Sequence, residues 1–401
     1  MRIFILNTDY PRFLSRLYSE TPGLERADHE TQLAARNDSL FGVADYYSRN
    51  FAAHGHAAWE IHLNNPWLQT AWAREHGLPW EQPPAAGDLA QASALRTDRR
   101  LQYAKTLLRP LVRRFRARSG AGVRLTQEEL RIFLAQVDHY RPDVILNQDM
   151  AFIGADVLDS LARRGILIIG QIASPLPVHE RFGCYALVIS SLPNFVDWFR
   201  RRGVRAELNR LGFEPGLLDK LGAPPRRDVP VSFVGSFSPE HADRIRLLET
   251  VASRVDLRLW GSGIERLPAN SPLHACYQGE AWGRDMYEAL RRSRITLNSH
   301  INLSEGFANN MRLYEATGVG TTLVTDRKCN LGEIFVPETE VATYGSHEEC
   351  VARIEELLAD PRRCSGIAAA GQARTLRDHN YFNRTGEILS LIDRVRDERA
   401  A

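Results

Sequence analysis

The run Ser304-Glu305-Gly306-Phe307-Ala308-Asn309-Asn310-Met311-Arg312-Leu313-Tyr314-Glu315-Ala316-Thr317-Gly318 gathers the groups that phosphate and sugar chemistry needs. Arg312 offers a planar fork of N–H donors to phosphate oxygens. Glu315, one turn further on, offers a carboxylate that accepts from two vicinal hydroxyls such as those of a ribose. The apolar run Arg294–His300 reads as a strand before this segment, and Thr321–Asp326 as a strand after it. The unit is strand, glycine-containing polar loop, short helix, strand. In open α/β sheets ligands seat where loops leave the carboxyl ends of strands. A helix N-terminus there adds free backbone N–H groups for an anion. Anion donors beside a hydroxyl acceptor suit a sugar nucleotide.

Other strand ends carry further candidates. Arg141–Asp149 reads as a buried strand delivering Asn147 and Asp149 to its carboxyl end. Asp149 is the first candidate for a general base if the reaction inverts an anomeric centre, and Asp9, after the first strand, is the second. Either aspartate can instead cap a helix or touch an acceptor, as can Asn147. His300 ends its strand facing the phosphate site; a lone histidine is as often structural. His54 and His56 flank a glycine and read as structural. Gly261-x-Gly263 reads as a turn. No two aspartates stand two residues apart, and no Walker loop, Gly-x-Ser-x-Gly or zinc spacing occurs. The expectation is a metal-independent reaction without a cofactor, the leaving diphosphate being held by protein donors and arginine.

The elements that must position these residues form two α/β halves. At 401 residues the chain is long enough for two cores. With 44% hydrophobic and 25% charged residues it is an ordinary globular composition. A net charge of +2 argues against a nucleic-acid partner. The five cysteines are scattered and never in a Cys-x-x-Cys pair, which fits reduced thiols and a cytoplasmic setting. No apolar run approaches the ~20 residues of a membrane span, and Met1–Asn7 reads as a first strand, not a signal peptide.

Strands are expected at 2–7, 57–62, 141–149, 166–170, 186–190 and 204–208, and again at 229–234, 255–260, 294–299 and 321–326. Helices are expected from Pro11 to Ser19 and at 28–53, 95–118, 126–139, 283–293, 346–359, 361–376 and 381–399. Thr126 with Glu129 forms a capping box, and Ser238 with Pro239 starts a helix. Alternating strands and helices imply parallel, doubly wound sheets. The domains fall at 1–210 and 228–380, with a Gly/Pro-rich linker at 211–227 and a terminal helix at 381–401. The stretch 81–87 is turn chemistry. Residues 96–118 carry nine Lys/Arg and one acidic residue around an apolar stripe, with Pro110 as a kink. That segment reads as a solvated helix packed on the sheet; its alternative is peripheral contact with the inner membrane face.

The run Asn310-x-Arg312-x-Tyr314-Glu315-Ala316-x-Gly318 followed by Leu323-Val324-Thr325-Asp326 resembles the CgeB-like branch of GT-B glycosyltransferases, whose nucleotide-sugar half is of the group 1 type. Asn64-Asn65-Pro66-Trp67-Leu68-Gln69, Asn147-Gln148-Asp149-Met150 and Gly170–Pro177 are similar to segments of bacterial relatives. The resemblance implies two Rossmann-like domains facing a cleft, with the terminal helix crossing back to the first. It implies a nucleoside diphosphate sugar as co-substrate, the C-terminal half binding it and the N-terminal half binding an unidentified glycan, lipid-linked, peptide or small-molecule acceptor. In retaining relatives two glutamates separated by seven residues line the donor site. Glu315 matches the second, on the ribose, whereas Glu305, ten residues earlier, departs from that spacing in the role against the sugar. The resemblance also implies phosphate contacts from Gly235, Ser236 and Arg244, and a base pocket near Gln278–Trp282. A nucleotide-sugar epimerase and a non-catalytic sugar-nucleotide or partner-binding protein are the alternatives. Retaining and inverting outcomes both stay open.

Overall fold

A computed structural model describes residues 1–78, 125–176, 181–237, 242–300 and 304–400. The turn-rich stretch at 81–87, the basic helix at 95–118 and the Ser238-Pro239 helix start lie outside the described residues. Among the described residues, ten of the eleven strands follow the apolar runs of the sequence. In the N-terminal lobe they are β1 (Arg2–Asn7), β2 (Ala57–His62), β3 (Val144–Asn147), β4 (Leu167–Gln171), β5 (Leu187–Ser190) and β6 (Ala206–Leu208). They make one parallel sheet in the order β2-β1-β3-β4-β5-β6. In the second lobe β7 (Val229–Val234), β8 (Leu257–Trp260), β9 (Ser293–Asn298), β10 (Thr322–Asp326) and β11 (Ala342–Tyr344) pair in parallel in the order β11-β10-β9-β7-β8. The three-residue β11 is an edge strand too short to announce itself by pattern.

Strand alternation sorts the side chains onto two faces. Ile3 and Ile5 face a core with Tyr46, Tyr47 and Phe51 of one helix and Ile388, Ile392 and Val395 of the terminal helix Tyr381–Ala400. Phe4 and Leu6 face Phe133, Val137, Leu158 and Phe199 on the opposite side. The first of these cores runs on without a break into the second lobe through Tyr287, Leu290, Leu313 and Tyr314. The outer face of the second sheet packs Val231, Leu259 and Leu297 against Leu248, Ile354 and Leu357. The capping box is formed: the Thr126 side chain accepts from the Glu129 amide, and Glu129 accepts from the amide of Thr126.

The helix expected over 28–53 is two helices, His29–Asp38 and Tyr46–Ala53. Between them Leu40, Gly42 and Ala44 all take left-handed φ angles of 60°, 63° and 41°. Tertiary contact overrides helical spacing here. The carbonyl of Ser39 accepts from the Arg284 amide at 2.9 Å, across to the other lobe. Gly283 has φ 50°, and a Cβ there would lie 2.0 Å from that same carbonyl. Glycine alone admits so close an approach. Phe41 and Trp282 then pack 5.4 Å apart, while Arg16 pairs with Asp285 at 2.6 Å and Arg12 with Glu280 at 3.1 Å. The linker also contains a short helix, Leu217–Leu221, and Arg291 donates to the carbonyls of Leu221 and Gly222 just past its last turn.

Glu60 on β2 is buried between the lobe's first strand and the helix at 46. It accepts from Asn7 Nδ2 and from the Ser48 amide at 3.0 Å. Burial pushes its carboxyl from 4.5 up to about 7, against the pull of the Ser48 hydrogen bond and Arg36. A folded value above the unfolded one means the folded state binds the proton more tightly. Its stabilising effect is full below pH 4.5 and is lost as the pH rises through about 7. Urea unfolding at pH 5 and pH 8 should show a fall that Glu60→Gln reduces by about 2–3 kcal/mol. Equal slopes in both proteins would refute this role.

Candidate functional site

Each sheet reverses its strand order once, between β1 and β3 in the first lobe and between β7 and β9 in the second. Crevices outside the carboxyl ends of strands at such points are where open α/β sheets take ligands. The second lobe brings two half-buried cations to its switch point. Arg312 Nη2 donates to the carbonyl of Val234, the last residue of β7, at 3.2 Å. Arg244 Nη2 donates to the carbonyl of Ser299, just past β9, at 2.8 Å, and its guanidinium lies over the Phe233 ring. Burial works against the charge of Arg244 and lowers its pKa. Nε of both arginines finds no acceptor among the described residues. Each guanidinium therefore carries an N–H donor with no described acceptor.

Glu315, 7% exposed, forms an ion pair with Arg312, Oε2 to Nη1 at 2.9 Å, in a geometry that makes no hydrogen bond. Burial raises its pKa, and Arg312 partly offsets the rise. Asn310 is the N-cap of the helix Met311–Gly318: its side chain accepts from the Leu313 amide and donates to Asn298 Oδ1 at 2.8 Å. Its function in this structure is to seat Arg312 and Glu315. Gly235 and Ser236 form the loop after β7, Ser236 being exposed. Gly261, at φ 144°, lies against it so closely that a Cβ would fall 1.8 Å from the Gly235 carbonyl. The Gly261-x-Gly263 turn thus shapes the Gly235 loop. Glu305 is exposed in a turn with φ 50°, apart from the Arg312–Glu315 pair.

His300 has a partner that sequence reasoning missed. Its Nδ1 lies 2.6 Å from Asp326 Oδ1, and its backbone N–H donates to the same oxygen at 3.1 Å. Lys328 Nζ stands 3.1 Å from the other oxygen. Burial would raise the Asp326 carboxyl, but the His300 hydrogen bond and charges of His300 and Lys328 hold it below the usual range. The parallel register of β9 and β10, Asn298 beside Thr325, is what brings residues 300 and 326 together. That pairing of strand ends was the available signal.

In the first lobe Asp149 is half-buried at the switch point. It accepts from the Thr8 hydroxyl at 2.8 Å, across the ends of β1 and β3, and from the Ala151 amide at 3.2 Å. Asp9 does not offer its carboxylate to the cleft. It is enclosed, with Arg36 Nη2 at 2.7 Å and His62 Nδ1 at 3.0 Å. Asn64 clamps its backbone from both sides, at 2.7 Å each. Burial would raise its pKa, but Arg36 and His62 drive it far below the carboxylate range. Asn147 is fully buried and donates to the Tyr185 hydroxyl at 2.9 Å. Both expected acceptor contacts are braces of the lobe in this conformation, because the ends of β1 and β3 turn these side chains inward. Among the described residues no group of three or more His, Cys, Asp or Glu side chains is placed to hold a metal ion, and no helix is long and apolar enough to cross a membrane.

Residues 244–390 match the family model described as glycosyl transferase-like. No curated protein matches the chain. Among solved structures the chain is similar over its whole length to HepE of Anabaena in complex with UDP-glucose, at 15% identity and a TM-score of 0.52, covering 98% of this chain and 99% of that one. It is similar to a glycosyltransferase from Rickettsia africae at 10% identity and a TM-score of 0.54, covering 98% of each. It is similar to the sucrose-phosphate synthase of Thermosynechococcus elongatus at 12% identity and a TM-score of 0.51, covering 99% and 100%. The fold is GT-B, two parallel α/β lobes, as the sequence resemblance implied.

Asp9 yields a stability prediction. A depressed carboxyl contributes stability above its ordinary value of about 3.9, and loses it as the pH falls toward its folded value. Asp9→Ala leaves Arg36 and His62 buried without their counter-ion, so unfolding in urea at pH 7 should cost about 3–5 kcal/mol less. A loss under ~1 kcal/mol would show the cluster to be dispensable.

Proposed function

We propose that this chain is a glycosyltransferase that moves a sugar from a nucleoside diphosphate sugar, held by the second lobe, to an acceptor held by the first. The observation that carries this reading is the pair Arg244 and Arg312. Two half-buried guanidiniums are tethered to carbonyls at the ends of β9 and β7, each with an Nε–H donor unspent, at a topological switch point. A diphosphate is the ligand whose charge and acceptor geometry match them. Glu315, now held by Arg312 alone, accepts the ribose hydroxyls when the diphosphate draws Arg312 toward itself. HepE, whose structure contains UDP-glucose, supports the donor class by likeness of fold.

The diphosphate leaving group is neutralised by arginine and the Gly235 loop, and we propose that no metal ion takes part. The Asn310–Gly318 run supports a place in the CgeB-like branch. Asp149, at the switch point of the facing lobe, is the base of an inverting reaction. If the reaction retains the anomeric configuration, Asp149 holds the acceptor, and Glu305 faces the sugar after closure of the lobes. The domain division at 1–210, 211–227, 228–380 and 381–401 follows from these roles, as does a cytoplasmic setting where nucleotide sugars are made.

Two measurements test the reading. Calorimetry against UDP, GDP and dTDP should find one cognate nucleotide, and Glu315→Ala should weaken it by about 1.5–3 kcal/mol through the lost acceptor. Wild-type affinity in that variant would remove Glu315 from the ribose. Separately, sugar transfer to acceptors in cell extract should persist in EDTA; activity abolished by EDTA and restored by Mn²⁺ would overturn metal independence.

A further inference from the structure

His300 is 9% exposed as a residue, and its imidazole is wholly enclosed. Nδ1 is engaged by Asp326 at 2.6 Å, while Nε2 is buried with no partner among the described residues. In a neutral ring, a hydrogen bond from Nδ1–H to the carboxylate selects the tautomer in which Nε2 carries the lone pair. The same Asp326 oxygen is held by the His300 backbone amide, and its other oxygen faces Lys328, so the carboxylate cannot turn away. Nε2 is thus an oriented acceptor with no donor to accept from. A buried polar atom left in this state is costly unless a ligand completes it.

The surroundings say what kind of ligand. His300 follows Ser299, whose carbonyl holds Arg244, and Lys328 stands on the other side of Asp326. Anionic oxygens belong on those cations. A lone-pair nitrogen needs the opposite partner, a neutral O–H donor. We propose that His300 Nε2 accepts a hydroxyl of the transferred sugar, and that Asp326 is the positioning residue that holds the ring with Nε2 aimed at it. This assignment rests on the donor reading given above. The pair then acts as a selector among sugars sharing one nucleotide, since a sugar lacking that hydroxyl leaves the nitrogen unpaired.

The test compares a sugar nucleotide with its parent diphosphate. Wild type is titrated with UDP-glucose, UDP-N-acetylglucosamine, GDP-mannose and dTDP-glucose, and the tightest binder is carried forward with UDP, GDP or dTDP as its parent. The readout is the ratio of the two dissociation constants, in which changes acting on the diphosphate cancel. His300→Asn places an amide where Nδ1 stood, so the Asp326 bond survives and only Nε2 is removed. The ratio should shift about tenfold against the sugar nucleotide. His300→Gln, which places an amide where Nε2 stood, should restore most of it. Asp326→Ala should shift the ratio as His300→Asn does, and Asp326→Asn, which keeps an acceptor for Nδ1–H, should stay within about threefold of wild type.

An unchanged ratio in His300→Asn overturns the sugar contact, and an unchanged ratio in Asp326→Ala overturns the positioning role. An Asp326→Asn variant as impaired as Asp326→Ala also overturns it, because charge and not the hydrogen bond would then be at work. A wild-type protein that binds none of the four sugar nucleotides overturns the donor reading itself, which distinguishes that failure from failure of the His300 assignment.

Discussion

The two passes of the chain between the lobes are fastened to each other. The Phe213 amide donates to the His379 carbonyl at 2.8 Å, and the Tyr381 amide donates back to the Phe213 carbonyl at 3.1 Å. Asn209 reinforces them by donating to Glu387 at 2.9 Å. Separate passes would let the lobes slide, twist and part. Passes pinned at one bridge hold the two lobes in register there. Everything that the facing crevices do depends on this, since Asp149 and the Arg244–Arg312 pair belong to different lobes. The far side of the seam is set by Gly283 against Ser39 and by the packing of Phe41 on Trp282.

The second lobe achieves its concentration of positive charge with few carboxylates. Glu315 pairs with Arg312 and Asp326 with Lys328, while Arg244 is tethered by a carbonyl. Backbone carbonyls at the strand ends supply the rest of the tethering. A carbonyl orients a guanidinium without cancelling its charge, so the field survives for an incoming anion. The first lobe does the opposite. Around Asp9 its charges face one another and are sealed in, which gives rigidity and leaves nothing for a ligand.

The sequence made the strands legible because parallel strands buried on both faces are short, dense apolar runs. Val144–Asn147 and Ser293–Asn298 could hardly be anything else. Local chemistry was equally readable at Thr126 and Glu129, and the linear motif led directly to Arg312 and Glu315. What failed to show were facts created by tertiary approach. Leu40 and Ala44 do not look like left-handed residues, and only the neighbouring lobe makes them so. Asp9 and Asn147 are polar and end strands, which suggests access, yet their neighbours close over them. Asp326 stood within view as the last residue of an expected strand. Its link to His300 needed the register of β9 and β10, which pattern alone does not give.

The terminal helix Tyr381–Ala400 covers the same face of the first sheet as the helix Tyr46–Ala53, with Tyr381 packed on Tyr46 and Tyr47 and Arg205 paired with Glu398. The first lobe is therefore completed by residues that leave the ribosome after those of the second lobe. Residues 1–208 emerge before it but lack one wall of their core until the helix Tyr381–Ala400 has followed. The second lobe, between them, carries its own sheet and outer helices and reaches solvent earlier. Vectorial synthesis thus favours an order in which the middle of the chain consolidates before its beginning does. A nascent first lobe with Ile3, Ile5, Leu187 and Ile189 still uncovered is the species that chaperones would meet.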